Sequence, residues 1–237
     1  MLPKTMLFDM DDTIVTDDAV SEFAWKEVCR ICSETTRLSK SEELFTSINE
    51  IREWFWGDFE RAQEGRLNLH QARRTIVKKA LERLGYNDEE VVSQIVNNYV
   101  DLKDRVIGLF PNTEGTLREL VRRGIKLALL TNGEGNIQRR KIERFNLDQY
   151  FTVCLIEGEL GYGKPDPRMY ETALDKLETT AEQTWMVGDD LERDIAGAQR
   201  LGIFSIWHDY SKKWLADDSR VKPDRIVNNI SEVLSLL

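Results

Sequence analysis

One apolar segment near the start of the chain constrains the fold more than any other feature. TMLFDM (Thr5 to Met10) is a short apolar run that ends among Asp9, Asp11, Asp12 and Thr13, the pattern of a buried strand with a polar carboxyl end. No companion strand follows it across 17–107. From about Asp18 to Val106 the periodicity is helical throughout. Val20, Phe23, Val28 and Ile31 mark one helix, Leu44, Ile48, Ile51 and Phe55 a second, and Leu69, Ile76, Ala80 and Leu84 a third. Asn87, with Glu90 three residues on, reads as a capping box opening a fourth that carries Val92, Ile95, Tyr99 and Val106. The span reads as a bundle of four or so helices.

After Pro111 strands and helices alternate. A helix from near Thr113 (Leu117, Leu120, Val121) stops at Gly124, and IKLALL (Ile125 to Leu130) follows as a buried strand. A second helix ends the same way at Leu201 and Gly202, before IFSIW (Ile203 to Trp207). TVCLI (Thr152 to Ile156) and TWMV (Thr184 to Val187) lie between, and RIV (Arg225 to Val227) comes last, ahead of a short terminal helix. Such alternation implies βαβ units and a parallel sheet, and Thr5 to Met10 must join it. The expected fold is α/β, a doubly wound parallel-sheet (Rossmann-like) core of residues 1–16 and 108–237 with the helical bundle of 17–107 inserted. No fixed-period repeat or low-complexity tract interrupts this reading.

Composition narrows the function. The 237 residues are 41% hydrophobic and 32% charged, as expected of an ordinary folded protein. Lys and Arg number 33 against 42 Asp and Glu, a net charge of −9. Such a surface repels polyanions, so nucleic-acid polymers and anionic membranes are not expected partners, whereas a small phosphate held locally is compatible with it. With 2 His and 3 Cys the chain is poorly supplied for structural zinc. The sparse, odd cysteine count fits a reducing compartment. The first apolar run is too short for a signal-peptide core, and no stretch of roughly 18 apolar residues follows, so a cytoplasmic protein is expected.

Ligands of open parallel sheets bind at the carboxyl ends of the strands, and four such ends carry groups suited to phosphate chemistry. Asp9 and Asp11, two apart, can face one region, one to attack and the other to transfer protons; the plain alternative is a solvated acidic loop. Thr131, Asn132 and Gly133 follow IKLALL just before a helix around Asn136 to Phe145, where hydroxyl, amide and backbone N–H groups can hold phosphate oxygens, or simply cap a turn. Gly133-Glu134-Gly135-Asn136-Ile137-Gln138 lacks the third glycine of a dinucleotide fingerprint. Lys164, between Gly163 and Pro165, is placed to neutralise an anion, or is a lysine in a proline-rich turn. The segment is no Walker A loop, since Pro165 stands where Ser or Thr would hold magnesium. Gly188-Asp189-Asp190-Leu191-Glu192-Arg193-Asp194 offers oxygen-only ligands for a hard cation such as Mg2+, or helix capping by Asp189 or Asp190.

In order along the chain, Asp9-x-Asp11-x-Thr13, Thr131, Lys164 before Pro165 and Gly188-Asp189 with Asp194 resemble the four motifs of the haloacid dehalogenase superfamily, over Asp9 to Asp194. The resemblance implies an aspartyl-phosphate mechanism. Asp9 would attack phosphorus, Asp11 would protonate the leaving alcohol and then activate water, and Thr131, Asn132, Gly133 and Lys164 would bind the phosphoryl group. Magnesium would be held by the Asp9 carboxylate, the Asp11 backbone carbonyl and Asp189, supported by Asp194 and by Asp190. The helical insert would be the family's cap, closing to exclude water. A carboxylate at Asp11 favours a phosphatase over a dehalogenase, because only an alcohol leaving group needs the proton. Thr131-Asn132-Gly133 with Gln138, Lys141 and Ile142 looks most like the nucleotidase and N-acylneuraminate-phosphatase branch. The expected protein is thus a magnesium-dependent phosphatase of a small phosphorylated metabolite, a nucleoside monophosphate or sugar phosphate, working as a monomer or homodimer. A phosphosugar mutase, a dehalogenase and a non-catalytic relative are the alternatives. Asp9, Asp11, Asp12, Asp189, Asp190 and Asp194 are expected to converge on one pocket that repels phosphate until a divalent cation enters.

Other features carry less. Cys29 and Cys32 have the spacing of a redox or zinc pair but lie in an apolar helix stripe and read as core. Trp54, Phe55, Trp56 and Phe59 read as a cluster on the second helix, mostly packing, with one or two rings available at a substrate entrance. His70 and His208 have no serine tied to them by pattern, so a hydrolase triad is not expected.

Overall fold

The computed structural model describes residues 2–35, 40–216 and 218–237, and they pack as two compact units, Met1–Asp17 with Gly108–Leu237, and Asp18–Ile107. Strand β1 (Thr5–Phe8) is wholly buried, and the chain then leaves the first unit to build the second.

The second unit is five helices: α1 (Asp18–Thr35), α2 (Ser41–Trp56), α3 (Phe59–Leu67), α4 (Leu69–Arg83) and α5 (Glu89–Val106). Its core joins Trp25, Val28, Cys29 and Cys32 of α1 to Leu44 and Ile48 of α2, Ile76 and Ala80 of α4, and Ile95 and Tyr99 of α5. Trp25 stacks on Tyr99 with ring centroids 3.7 Å apart, a pairing worth about 0.5–1.5 kcal/mol beyond the area it buries. Both cysteine thiols are buried, as the apolar-stripe reading expects. Three readings are corrected. The cap of α5 is Asp88, whose carboxylate accepts from the Glu90 and Val91 amides, rather than Asn87. Phe59 opens α3, a separate helix capped by Asp58, so the aromatic cluster spans two helices. Within it Phe55 is buried while Trp54 and Phe59 are exposed, and Phe23, placed on the α1 stripe by spacing, is exposed too.

The first unit resumes with α6 (Thr113–Arg122), β2 (Lys126–Thr131), α7 (Gly135–Arg144), β3 (Val153–Ile156), α8 (Glu157–Leu160), α9 (Pro167–Leu177) and β4 (Thr184–Gly188). A π-helical turn (Leu191–Ala196) runs into a short helical turn at Gly197–Gln199, then β5 (Phe204–His208), β6 (Arg225–Val227) and a 3-10 stretch (Ile230–Leu236). All six strands are parallel in the order β3-β2-β1-β4-β5-β6. Leu7, Ala128, Leu130, Leu155 and Met186 bury one face against Met169, Tyr170, Ala173 and Leu177 of α9. Alternation along the strands sends Met6, Phe8, Leu127 and Leu129 to the other face, also fully buried. Strands covered on both faces read as continuous apolar runs, which is why they are legible in the sequence. The first strand is central: the chain moves outward from β1 through β2 to β3, then returns to β4 on its other side. The order therefore reverses at β1, where a parallel sheet opens its ligand crevice. No helix among the described residues is long and apolar enough to cross a membrane.

Candidate active site

Past the end of β1 the backbone turns sharply. The Ile14 and Val15 amides both donate to the Met10 carbonyl, and Asp12 adopts a left-handed φ of 60°. The Asp12 carboxylate accepts from the Asp17 amide at 3.0 Å, and its carbonyl meets His208 Nδ1 at 3.1 Å. Asp12 therefore braces the turn, and Asp9 and Asp11 are left to face the crevice.

Asp9 meets its first counter-charge from far along the chain. Lys164 Nζ pairs with Asp9 Oδ1 and, at 2.6 Å, with Asp194 Oδ1, all three residues being buried. The loop carrying this lysine follows α8, eight positions beyond β3, and is held by Asn132. The Asn132 amide donates to the Lys164 carbonyl at 2.7 Å, while its oxygen accepts from the Lys164 amide at 2.8 Å. Gly163 makes that clasp possible, because a Cβ there would sit 2.5 Å from Asn132 Oδ1 and 2.8 Å from the Glu157 carboxyl. Buried Glu157 accepts from the Gly133 amide at 2.9 Å. The Asn132 side chain and the Gly133 amide thus tie the second loop to the third. Thr131, the last residue of β2, keeps its hydroxyl at the crevice, where it accepts from Gln138 Nε2 at 2.6 Å.

The loop after β4 divides its acids by local structure. Asp190 caps the π-helical turn, accepting from the Glu192 and Arg193 amides at 3.0 and 2.7 Å and from Arg193 Nε at 2.8 Å. Against the effect of burial, Arg193 holds Asp190 below the usual carboxylate range. Asp194 reaches back from the same turn to the Asp190 amide at 3.0 Å. Gly188 leaves room for that reach, since a Cβ there would overlap the Asp194 carboxyl. Gly188→Ala is expected to lower the unfolding free energy by about 1–3 kcal/mol, the range for overpacking a filled site. Urea denaturation reads it, and an unchanged midpoint would show that the Asp194 carboxyl has another place to go. Trp207 Nε1 steadies the loop by donating to the Asp189 carbonyl at 2.7 Å.

Of the six carboxylates expected to converge, three do so tightly. Asp9, Asp189 and Asp194 each offer an oxygen within 4.8 Å of the others. Asp11 lies alongside, with its oxygens on Gln138 and Lys141, while Asp12 and Asp190 turn to backbone amides. Burial pushes the Asp9 carboxyl up, Lys164 pulls it down, Asp194 and Asp11 push again, and it rises to about 7. Burial and the neighbouring charges of Asp9 and Asp194 raise Asp189 well above the usual range. For Lys164, burial opposes the charge but Asp194 and Asp9 outweigh it, so its ammonium is held above the usual lysine range. Among the described residues no hydrogen-bond donor reaches the Asp189 carboxylate. A crowded, partly unsatisfied, all-oxygen donor set fits a hard divalent cation of the magnesium type.

A family model of haloacid dehalogenase-like hydrolases matches residues 3–202. Phosphoserine phosphatase of Thermus thermophilus is 29% identical over 97% of each chain. Glyceraldehyde 3-phosphate phosphatase of Methanopyrus kandleri is 29% identical, covering 86% of this chain and 82% of its own. Among solved structures, the hydrolase YfnB of Bacillus subtilis, described as bound to magnesium, shares the fold with a TM-score of 0.77 at 21% identity, over 100% of this chain and 99% of its own.

Proposed function

The chain belongs to the haloacid dehalogenase-like hydrolases, and we propose that within that family it is a magnesium-dependent phosphatase of a small phosphorylated metabolite, a nucleoside monophosphate or sugar phosphate. The observation that carries this reading is the meeting, at the switch point of the sheet, of Asp9, Lys164 and the Asp189 and Asp194 carboxylates, with Asp11 and Thr131 beside them. The helical unit is read as the cap.

In this reading an Asp9 carboxylate oxygen attacks phosphorus, forming an acyl phosphate as the bond from phosphorus to the ester oxygen breaks. Asp11 gives its proton to the departing alkoxide, so the alcohol leaves neutral. Asp11, now a carboxylate, takes a proton from water as that water attacks phosphorus; the bond from phosphorus to Asp9 breaks, and inorganic phosphate leaves. The Thr131 hydroxyl and Lys164 ammonium hold the phosphoryl oxygens, and phosphoryl transfer asks mainly for such positioning and neutralisation. The Asp9 and Asp189 carboxylates and the Asp11 carbonyl would hold magnesium, with Asp194 behind them, and the cation supplies charge neutralisation for the phosphoryl oxygens.

The test is inorganic phosphate release over nucleoside monophosphates, phosphosugars, phosphoglycolate, phosphoserine and glyceraldehyde 3-phosphate, with and without EDTA. Metal-dependent release from at least one small monoester is expected. Accumulation of an isomeric phosphosugar without phosphate would instead indicate a mutase.

Metal binding has a readout independent of turnover. Asp9 and Asp189 bind protons more tightly folded than unfolded, so metal-free protein loses stability as pH rises from about 4 toward the folded value of about 7 for Asp9. Above that range Mg2+ is expected to raise the thermal midpoint by binding the native state alone. Asp189→Asn is expected to raise the metal-free midpoint and abolish the response to Mg2+. A full response in that variant would remove Asp189 from the ligand set.

A further inference from the structure

Helix α7 presents Gln138 and Lys141, one turn apart on a single helical face, to the two oxygens of Asp11. Gln138 Nε2 donates to Asp11 Oδ2 at 2.8 Å, and Lys141 Nζ meets Asp11 Oδ1 at 2.7 Å. The Lys141 ammonium is anchored on its far side by Asp17 Oδ2, also at 2.7 Å. The Gln138 amide is buried and additionally reaches the Thr131 hydroxyl at 2.6 Å and the Asn132 carbonyl at 3.0 Å. The Asn132 carbonyl and the Asp11 carboxylate on that side can only accept, which settles that the nitrogen rather than the oxygen of the amide points inward.

We propose that Gln138 and Lys141 are positioning residues for the proton-transfer step, holding the Asp11 carboxyl from both oxygens and turning the Thr131 hydroxyl hydrogen toward the phosphoryl group. The inference rests on the reading of Asp11 as proton donor and extends it to residues that touch neither substrate nor metal. A carboxylic acid keeps acceptor lone pairs on both oxygens, so the contacts to Gln138 and Lys141 survive protonation. The acid hydrogen is then left to point away from the two donors, toward the ester oxygen. At Thr131 the same logic applies in reverse: because its oxygen accepts from Gln138, its own hydrogen points away from that amide, where it meets only the Asn132 carbonyl at a long 3.4 Å, a contact that a bound phosphoryl oxygen would replace. Asp17 matters because an ammonium on a flexible four-carbon stem orients its partner only if it is itself held. One helix face thereby aligns the proton donor and one phosphate-binding group together.

Leaving-group chemistry separates this role from simple structural support. An alkyl phosphate expels a basic alkoxide that needs the Asp11 proton, whereas p-nitrophenyl phosphate expels a stabilised phenolate that does not. The ratio of kcat/KM for the two substrates is to be measured in the wild type and in Asp11→Asn, Lys141→Met, Lys141→Arg and Gln138→Glu, each checked for folding by circular dichroism. The quantity kcat/KM reports the first transfer alone, so loss of Asp11 as base in the second step does not blur it. Lys141→Met and Gln138→Glu are expected to lower the alkyl phosphate value roughly 10²-fold, in the lower range of general acid catalysis, and that for p-nitrophenyl phosphate far less. Lys141→Arg, which keeps a charged donor, is expected to restore much of the lost alkyl phosphate kcat/KM; it and Gln138→Glu keep the test decisive if Lys141→Met does not fold. If Asp11→Asn discriminates but the α7 variants lose both substrates equally, Gln138 and Lys141 are merely structural and the inference is overturned. If Asp11→Asn itself does not discriminate, the acid assignment fails and takes the inference with it.

Discussion

Asp9→Asn is expected to abolish phosphate release, by about 10⁴-fold or more, the scale on which enzymes lose rate when a nucleophile is removed. The variant removes one negative oxygen and little else. The asparagine carbonyl retains the shape needed to accept from Lys164, and Asp194 still pairs with that ammonium at 2.6 Å. Fewer like charges then crowd Asp189. Metal-free Asp9→Asn is therefore expected to melt no lower than the wild type. Phosphate assays and thermal unfolding on the same preparation check both halves. Lost activity accompanied by lost folding would mean that Asp9 matters to the structure more than its contacts indicate.

Lys164→Met is expected to be the most destabilising single change in the site. Among the described residues, the lysine is the one cation that directly pairs with both Asp9 and Asp194. Removing one partner of a buried ion pair strands the other charges, at a cost of about 3–5 kcal/mol. Here it strands two carboxylates beside a third. In EDTA the thermal midpoint should fall sharply, and Mg2+, by supplying positive charge to the same oxygens, should return part of the loss. Activity should not return with it, because the group that neutralises the phosphoryl oxygens is gone. Equal destabilisation with and without Mg2+ would separate the lysine from the cation site.

The strands and the order of the motifs were readable because each rests on local chemistry. A strand buried on both faces is an unbroken apolar run, so Ile125 to Leu130 is found within one residue of Lys126–Thr131, and Arg225–Val227 without shift. Position within the sheet was not readable, since β1 lies between β2 and β4 through pairings that span more than a hundred residues. Helix α3 was missed because FERAQEGRL buries only Gly65 among its residues and shows no stripe. Phe23 sits at helical spacing, yet the bundle closes instead on Ala24, Trp25 and Val28; periodicity finds a stripe, and packing neighbours decide its edges.

The acids teach a sharper lesson. Asp9, Asp12, Asp189 and Asp190 are the same residue at strand ends, but the backbone amides that Asp12 and Asp190 face turn them into braces. The sequence offered capping as an alternative at Asp190, and there it is correct. Asn132 shows the converse. Its side chain serves the Lys164 loop rather than the crevice, a contact 32 residues away that no local pattern announces. Gln138 and Lys141 were visible as marks of resemblance, but their reach to Asp11 emerges only once the fold brings α7 to the turn that follows β1.

The most direct measurement is acid quenching of the wild-type protein during turnover of a small phosphate monoester with Mg2+, followed by peptide mass analysis. One added phosphoryl group on the peptide containing Asp9, absent from Asp9→Asn, is the predicted result. Steady phosphate release with no phosphoryl group on Asp9 at any quench time, and undiminished release by Asp9→Asn, would contradict it.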